Sequence, residues 1–249
     1  MSHKDIKVSD SQTKTAGAAG RPSPTHVTLA VVLQVREGAL SVLLWQRARP
    51  PFSGAWSLPG GYLGHGDTLE QSIRAHLAGK VDVAELSWLE QLETLSDPGR
   101  HPGERQLATG YLGLVPLGLD PALPEDTAWH SIEHLPELAF DHEAIVLAGR
   151  ERLRAKLSYT NIGFALAPEE FSISELSAIY TAALGYAVDP TNLRRVLERR
   201  GLLDATGERR SPGPDGGRPA AVYRFGTREL AVTDPFAVLR PPTAARAGG

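Results

Sequence analysis

Two helix-start signals stand in close succession between residues 172 and 190, and they confine this stretch to a pair of short helices joined by a turn. Ser172-Ile173-Ser174-Glu175 is a capping box, in which the serine hydroxyl accepts from the backbone three residues on and the glutamate reaches back to the serine N–H. Leu176, Ile179, Tyr180 and Ala183 then recur at helical spacing, and Gly185-Tyr186 supplies a stop. Asp189-Pro190 opens the next helix, with aspartate as N-cap and proline at a first position that needs no intrahelical N–H. That helix runs to Arg200 and stops at Gly201. Leu202-Leu203 and Val222-Tyr223-Arg224-Phe225 read as strands flanking Thr206 to Pro219, a loop rich in Gly, Pro and Arg. Two helices and a two-stranded ribbon make a small module that begins just past Ala167-Pro168.

The first half has a different grammar. Val27 to Val35 and Leu40 to Gln46 are β-branched and aliphatic runs parted by Arg36-Glu37-Gly38, which reads as a hairpin. Ala108 to Val115 is a further strand. Leu69, Ile73 and Leu77 mark a short helix over Leu69 to Lys80. A longer helix spans Asp141 to Leu157, capped by Asp141 and carrying Ile145, Val146, Leu153 and Leu157 on one stripe. Locally paired strands mixed with helices imply an α+β fold, an αβα sandwich. The expected division is a disordered leader over 1–24, the sandwich over 25–158, the helical module over 159–230 and a tail over 231–249.

Charge divides along the same line. Residues 26–150 carry 8 Lys/Arg against 16 Asp/Glu, whereas residues 172–228 carry 9 Arg against 6 acids, so the net charges are −8 and +3. A basic module beside an acidic one is what a phosphate backbone would select, although an ordinary solvated basic surface has the same count. Apolar residues make up 41 %, enough for a core, and no run approaches the ~20 consecutive apolar residues of a membrane span. The chain has no cysteine, which excludes disulfides and thiolate metal sites. A cytoplasmic location is expected.

Within the second helix of the basic module, Leu193, Val196 and Leu197 share one stripe, so Thr191, Arg195, Glu198 and Arg199 point away, flanked by Asn192 and Arg194. A recognition helix needs this division, because Arg pairs bidentately with guanine and Asn with adenine. The plain alternative is a solvated helix face with an Arg194–Glu198 pair. Arg209, Arg210 and Arg218 in the following loop favour DNA, since a wing tipped with arginines grips phosphate or enters the minor groove. The expected DNA-binding residues are Thr191, Asn192, Arg194, Arg195, Arg199, Arg209, Arg210 and Arg218.

Three motifs in the first half fall in a recognisable order: Leu43-Leu44-Trp45-Gln46-Arg47, then Trp56-Ser57-Leu58-Pro59-Gly60-Gly61-Tyr62 with Gly66-Asp67-Thr68-Leu69-Glu70, then Leu135-Pro136-Glu137-Leu138-Ala139-Phe140-Asp141-His142. Over roughly residues 26 to 157 the chain resembles the Nudix family, whose enzymes hydrolyse nucleoside diphosphates linked to another moiety, and the third motif resembles the segment leading into the final helix of that family's ADP-ribose branch. Their box places acids at i, i+3 and i+4 of one helix, where the carboxylates share divalent cations such as Mg²⁺. Counted from Gly61, the first acid position holds Asp67, the arginine position Ala75, and the three helical acids become His76, Gly79 and Lys80. The charge on that face goes from −3 to about +1, so this helix builds no hard-metal site. No catalytic or metal-ligating residue is expected.

What remains is a pocket able to hold a nucleotide diphosphate without cutting it, or a domain kept only for stability. Arg47, Arg100 and Arg105 can meet phosphate oxygens bidentately, Gly60-Gly61 permit close backbone approach, and Phe52 or Trp56 offers an aromatic face. Lys80 could pair with a phosphate too, although an exposed helix lysine is ordinarily just solvated. The loop Asp97 to Arg105 is similar to an arginine-bearing loop in ADP-ribose binders, with a second half that departs from the pattern.

A degenerate Nudix domain followed by a winged helix-turn-helix resembles the Nudix-related transcriptional regulators of NAD metabolism, and Gly217-Arg218-Pro219 ahead of Val222 resembles their wing. The resemblance implies a homodimer that represses genes of NAD synthesis or salvage from a palindromic double-stranded DNA operator, with ADP-ribose or a related nucleotide as effector. No cofactor or membrane partner is implied. Two rivals stay open. One is a Nudix hydrolase with non-standard metal ligands such as Glu70 or Glu104. The other is a protein-interaction module whose basic helix meets an acidic partner.

Overall fold

The computed structural model describes residues 23–81, 83, 85–211 and 219–234. Strands β1 (Thr25–Arg36) and β2 (Ala39–Gln46) form the expected antiparallel hairpin. Glu37 and Gly38 turn it with φ of 49° and 78°, the positive values that a two-residue hairpin requires. On its other side β1 pairs in parallel with β6 (Gln106–Leu114), which pairs in turn with β5 (Trp88–Leu95). Three short strands complete a seven-stranded mixed sheet: β3 (Trp56–Ser57) and β7 (Thr127–Ser131) on β2, and β4 (Gly60–Tyr62) on the start of β1.

The two-residue period of β1 sorts its side chains into two cores. Val27, Leu29, Val31, Leu33 and Val35 join Ile145, Val146, Leu153 and Leu157 of helix α2 (His142–Tyr159). Ala30 and Val32 join Leu43 and Tyr111 with Ile73 and Leu77 of α1 (Leu69–Val81) on the opposite face. A sheet lying between two helices is the αβα sandwich the pattern implied. Helix α2 lies close on it because Gly149 has no side chain; a Cβ there would stand 2.8 Å from Val31.

The start of α2 departs from expectation. Asp141 occupies the N-cap position, yet its side chain makes no capping bond. Both carboxylate oxygens are taken by Arg100, with Nε–Oδ2 at 3.0 Å and Nη2–Oδ1 at 2.8 Å. A bidentate guanidinium outcompetes a single neutral N–H for this acceptor.

The second module contains β8 (Phe171–Ser172), α3 (Ile173–Leu184), α4 (Pro190–Arg199), β9 (Leu203–Arg210) and β10 (Ala220–Phe225), with the strands ordered β8-β10-β9. Both helix starts are built as read: Glu175 N donates to Ser172 Oγ at 3.2 Å, Ser172 N to Glu175 Oε2 at 2.7 Å, and Asn192 N to Asp189 Oδ1 at 2.7 Å. Gly185 ends α3 in the left-handed conformation. The wing differs in one respect. β9 continues to Arg210, so Arg209 and Arg210 lie on a strand and not in the loop.

The two modules share apolar packing. Phe164, Phe171, Leu176, Ile179 and Leu193 belong to the same buried cluster as the α2 face of the sheet. Arg154 Nε on α2 donates to Ala183 O at the end of α3 (3.3 Å), and Leu117 N to Leu166 O (2.8 Å). Buried Asn161 accepts from Ala231 N at 2.7 Å, and Thr233 N and Asp234 N donate to Tyr159 O. The packed fold therefore extends past residue 230 to Asp234. The leader lies almost wholly outside the described residues, as does the tail beyond Asp234. Among the described residues no helix is long and apolar enough to cross a membrane.

Candidate functional site

A cavity of about 580 Å³ opens where β4, the end of β2, α1 and the start of α2 converge. Its charged lining is one-sided: Arg47, Arg49, Lys80 and Arg100 contribute cations, and no Asp or Glu lines it. Backbone approach is close at its floor. Gly60 pairs with Leu29 across β1, and a Cβ on it would collide with the Thr28 carbonyl oxygen.

The helix positions that would carry metal ligands are hydrogen-bonded to β4 instead. His76 Nε2 donates to Tyr62 O at 2.9 Å, and Lys80 Nζ to Gly60 O at 2.7 Å. The Lys80 ammonium also stands 4.9 Å from the centre of the Trp45 ring. Burial, and secondarily the neighbouring Arg47 charge, holds Lys80 below the ordinary lysine value. The donor set does not fit a hard divalent cation, because an ammonium and an imidazole already occupy the carbonyl oxygens nearest the helix. Among the described residues no three His, Cys, Asp or Glu side chains are grouped to hold a metal. Glu70, one alternative ligand, is paired with Arg74 at 2.9 Å, and neither Glu70 nor Glu104 lines the cavity.

Opposite α1, Phe140 is a hub. Its backbone is left-handed (φ 57°), which sets the ring against Phe52 (centroids 4.8 Å, edge-on), His101 (5.4 Å, stacked) and the Arg47 guanidinium (4.7 Å). Arg47 is anchored further by Nε donating to Pro51 O at 2.9 Å. His142 is buried, with Nδ1 accepting from Leu58 N at 3.0 Å, so its remaining ring proton sits on Nε2. Burial, with Arg100 and Arg47 opposing ionisation, lowers its pKa to about 3 and keeps it neutral.

The expected effector residues divide. Arg47, Gly60, Gly61 and Arg100 line the cavity. Phe52 sits beside it through Phe140. Trp56 packs on His130 (4.4 Å) against the core, and Arg105 points away, its Nη2 donating to Ser96 O at 3.3 Å. Arg100 is present without a free fork, since its side chain is only 3 % exposed and held by Asp141. Trp45, Tyr62, His101, Phe140 and His142 line the cavity without having been assigned to it. Trp45, Phe140 and His142 stand inside the quoted motifs, but their convergence depends on strand topology that no local pattern encodes.

In the second module α4 buries Leu193 and Leu197 and exposes Thr191, Asn192, Arg194, Arg195 and Arg199. Arg194 pairs with Glu198 at 2.7 Å, as the plain reading anticipated, and its guanidinium lies 5.6 Å from the Tyr223 ring on β10. Arg195 Nη2 donates to Asn192 Oδ1 at 2.8 Å. Arg199 and Arg209 are exposed with no side-chain partner among the described residues. Arg210 is held by Glu175 at 2.6 Å, which ties the wing strand to the capping box of α3. Arg218 lies outside the described residues.

These features match known proteins in the same order. Residues 24–148 match the NUDIX domain and residues 163–225 the NrtR DNA-binding winged helix domain. The chain is 28 % identical over 215 residues to the ADPR responsive transcriptional repressor NtrR of Acinetobacter baylyi, covering 84 % of each. Its structure resembles Shewanella oneidensis NrtR complexed with a 27mer DNA, with 32 % identity, a TM-score of 0.70, and 80 % and 92 % of the two chains covered. A MutT/nudix family protein from Enterococcus faecalis, 23 % identical with a TM-score of 0.67 over 82 % and 89 % of the chains, shares the fold. The chain therefore belongs to the NrtR family of transcriptional regulators, in which a Nudix domain precedes a DNA-binding winged helix.

Proposed function

We propose that this protein is a cytoplasmic transcriptional repressor of genes for NAD synthesis or salvage, and that its Nudix cavity senses ADP-ribose or a related nucleotide without hydrolysing it. The observation that carries the reading is α4, whose apolar back is buried while Thr191, Asn192, Arg195 and Arg199 stand exposed beside a wing strand. Asn192 and Arg195 supply base-edge donors and acceptors. Arg194, Arg199, Arg209 and Arg218 supply phosphate contacts. Arg210 serves the interface by fixing the wing to α3.

A homodimer would present two copies of α4 about one DNA turn (~34–36 Å) apart, which calls for a palindromic operator. The cavity takes the diphosphate on Arg47 and offers the Gly60-Gly61 backbone and the Phe52–Phe140 pair to the rest of the nucleotide. Arg100 joins only if Asp141 releases it.

Fluorescence anisotropy of labelled duplexes from upstream of NAD-synthesis genes tests the reading. Specific binding that Arg195→Ala weakens by ~1–3 kcal/mol, and that falls steeply with salt, is expected. Equal affinity for scrambled duplex would refute it.

A further inference from the structure

Of the positions at which the Nudix cavity departs from a metal-dependent site, Lys80 is the one that puts a cation where an acid would stand. Lys80 occupies the last of the helical acid positions counted from Gly61. It is half-buried and lines the cavity. One ammonium proton is committed to Gly60 O at 2.7 Å, and the Trp45 ring supports the charge from a second direction. An ammonium has three donors, so two remain. Arg47 is close enough to oppose the Lys80 charge, and neither residue has an acidic partner among the described side chains. Two uncompensated cations, both partly buried against the same cavity, repel each other, and an anion with adjacent phosphoryl groups removes that penalty.

We infer that the Lys80 ammonium, tethered to Gly60 and seated on Trp45, takes the place of the divalent cation as countercharge to a nucleotide diphosphate. Binding by this chain then needs no metal. The inference rests on the proposed effector reading and adds to it the residue and the ionic requirement.

Calorimetric titration of the full chain with ADP-ribose, and separately with inorganic pyrophosphate, tests it in EDTA and in millimolar Mg²⁺. Wild type binds ADP-ribose equally in both buffers. Lys80→Met, which keeps the length of the side chain, lowers affinity about ten- to a hundredfold, the worth of one charge-assisted hydrogen bond. Lys80→Arg recovers part of the loss and guards against a folding artefact, with unchanged melting curves as the control. Binding that requires Mg²⁺, or equal affinity in Lys80→Met, overturns the inference while leaving the effector reading intact. Lys80-dependent binding of pyrophosphate without binding of ADP-ribose supports the inference and overturns the effector's identity. Binding of neither overturns both.

Discussion

The Arg100–Asp141 pair joins the cavity to the helix that leads to the DNA-binding module, and removing Asp141 should expose what the pair does. The Arg100 side chain is 3 % exposed and that of Asp141 26 %, and two charge-assisted bonds of 3.0 and 2.8 Å connect them. Asp141→Ala leaves Arg100 with one distant acceptor, Gln106 Oε1 at 3.4 Å. Breaking a buried pair from one side costs about 3–5 kcal/mol. Arg100 borders a cavity that water can enter, so the low end applies, about 3 kcal/mol. Loss of a helix cap adds nothing, because Asp141 makes no side-chain capping bond. For a chain of this size that is a fall in Tm of about 6–12 °C. The freed guanidinium fork then becomes available to phosphate, so ADP-ribose should bind the variant at least as tightly as wild type and restore more of its Tm. Scanning calorimetry with and without ligand reads both effects. In the double variant Arg100→Met with Asp141→Leu, stability should return toward wild type, since no charge is stranded. A Tm within about 2 °C of wild type for Asp141→Ala, or additive losses in the double variant, would refute the reasoning.

Gly60→Ala drives a Cβ into the Thr28 carbonyl oxygen and toward Leu29 Cα at 3.0 Å, so thermal melts should show a loss of about 1–3 kcal/mol or more, with the cavity floor displaced. His142 titrates at about 3 when folded against an unfolded value near 6.5, so the unfolded chain takes the proton first. The His142 contribution to stability is complete above pH 6.5 and is lost as pH falls toward 3, by up to about 1.4 kcal/mol per unit; His142→Asn should flatten that part of a Tm–pH curve. Ser172→Ala removes one arm of the capping box and should cost about 1 kcal/mol by chemical denaturation.

Features encoded within a few residues were legible in the sequence. The capping box at Ser172, the Asp189-Pro190 start and the Glu37-Gly38 hairpin are built from partners up to three positions apart, so the chain states them locally. The apolar back of α4 follows from the helical period alone. Arg100 shows the limit. Its side chain reads as a phosphate fork until a carboxylate 41 residues away claims it. Lys80 shows the converse: the sequence leaves it between a phosphate partner and a solvated lysine, and packing of α1 on β4 makes it a cavity cation bonded to Gly60 O. Asp141 illustrates competition between levels: the local rule assigns it a capping role, and a stronger tertiary partner overrides that rule. The parallel pairing of β1 with β6, which brings the Arg100 loop beside the cavity, has no local signal at all.

A nucleotide-sensing repressor links nucleotide in the Nudix cavity to operator on α4 through one protein. Titrating ADP-ribose into the protein–operator complex, and then operator into the protein–ADP-ribose complex, measures that linkage directly. Each ligand should shift the other's Kd by the same factor, about 5- to 150-fold for a coupling of ~1–3 kcal/mol. Operator affinity identical at zero and saturating ADP-ribose, with nucleotide demonstrably bound, would contradict it.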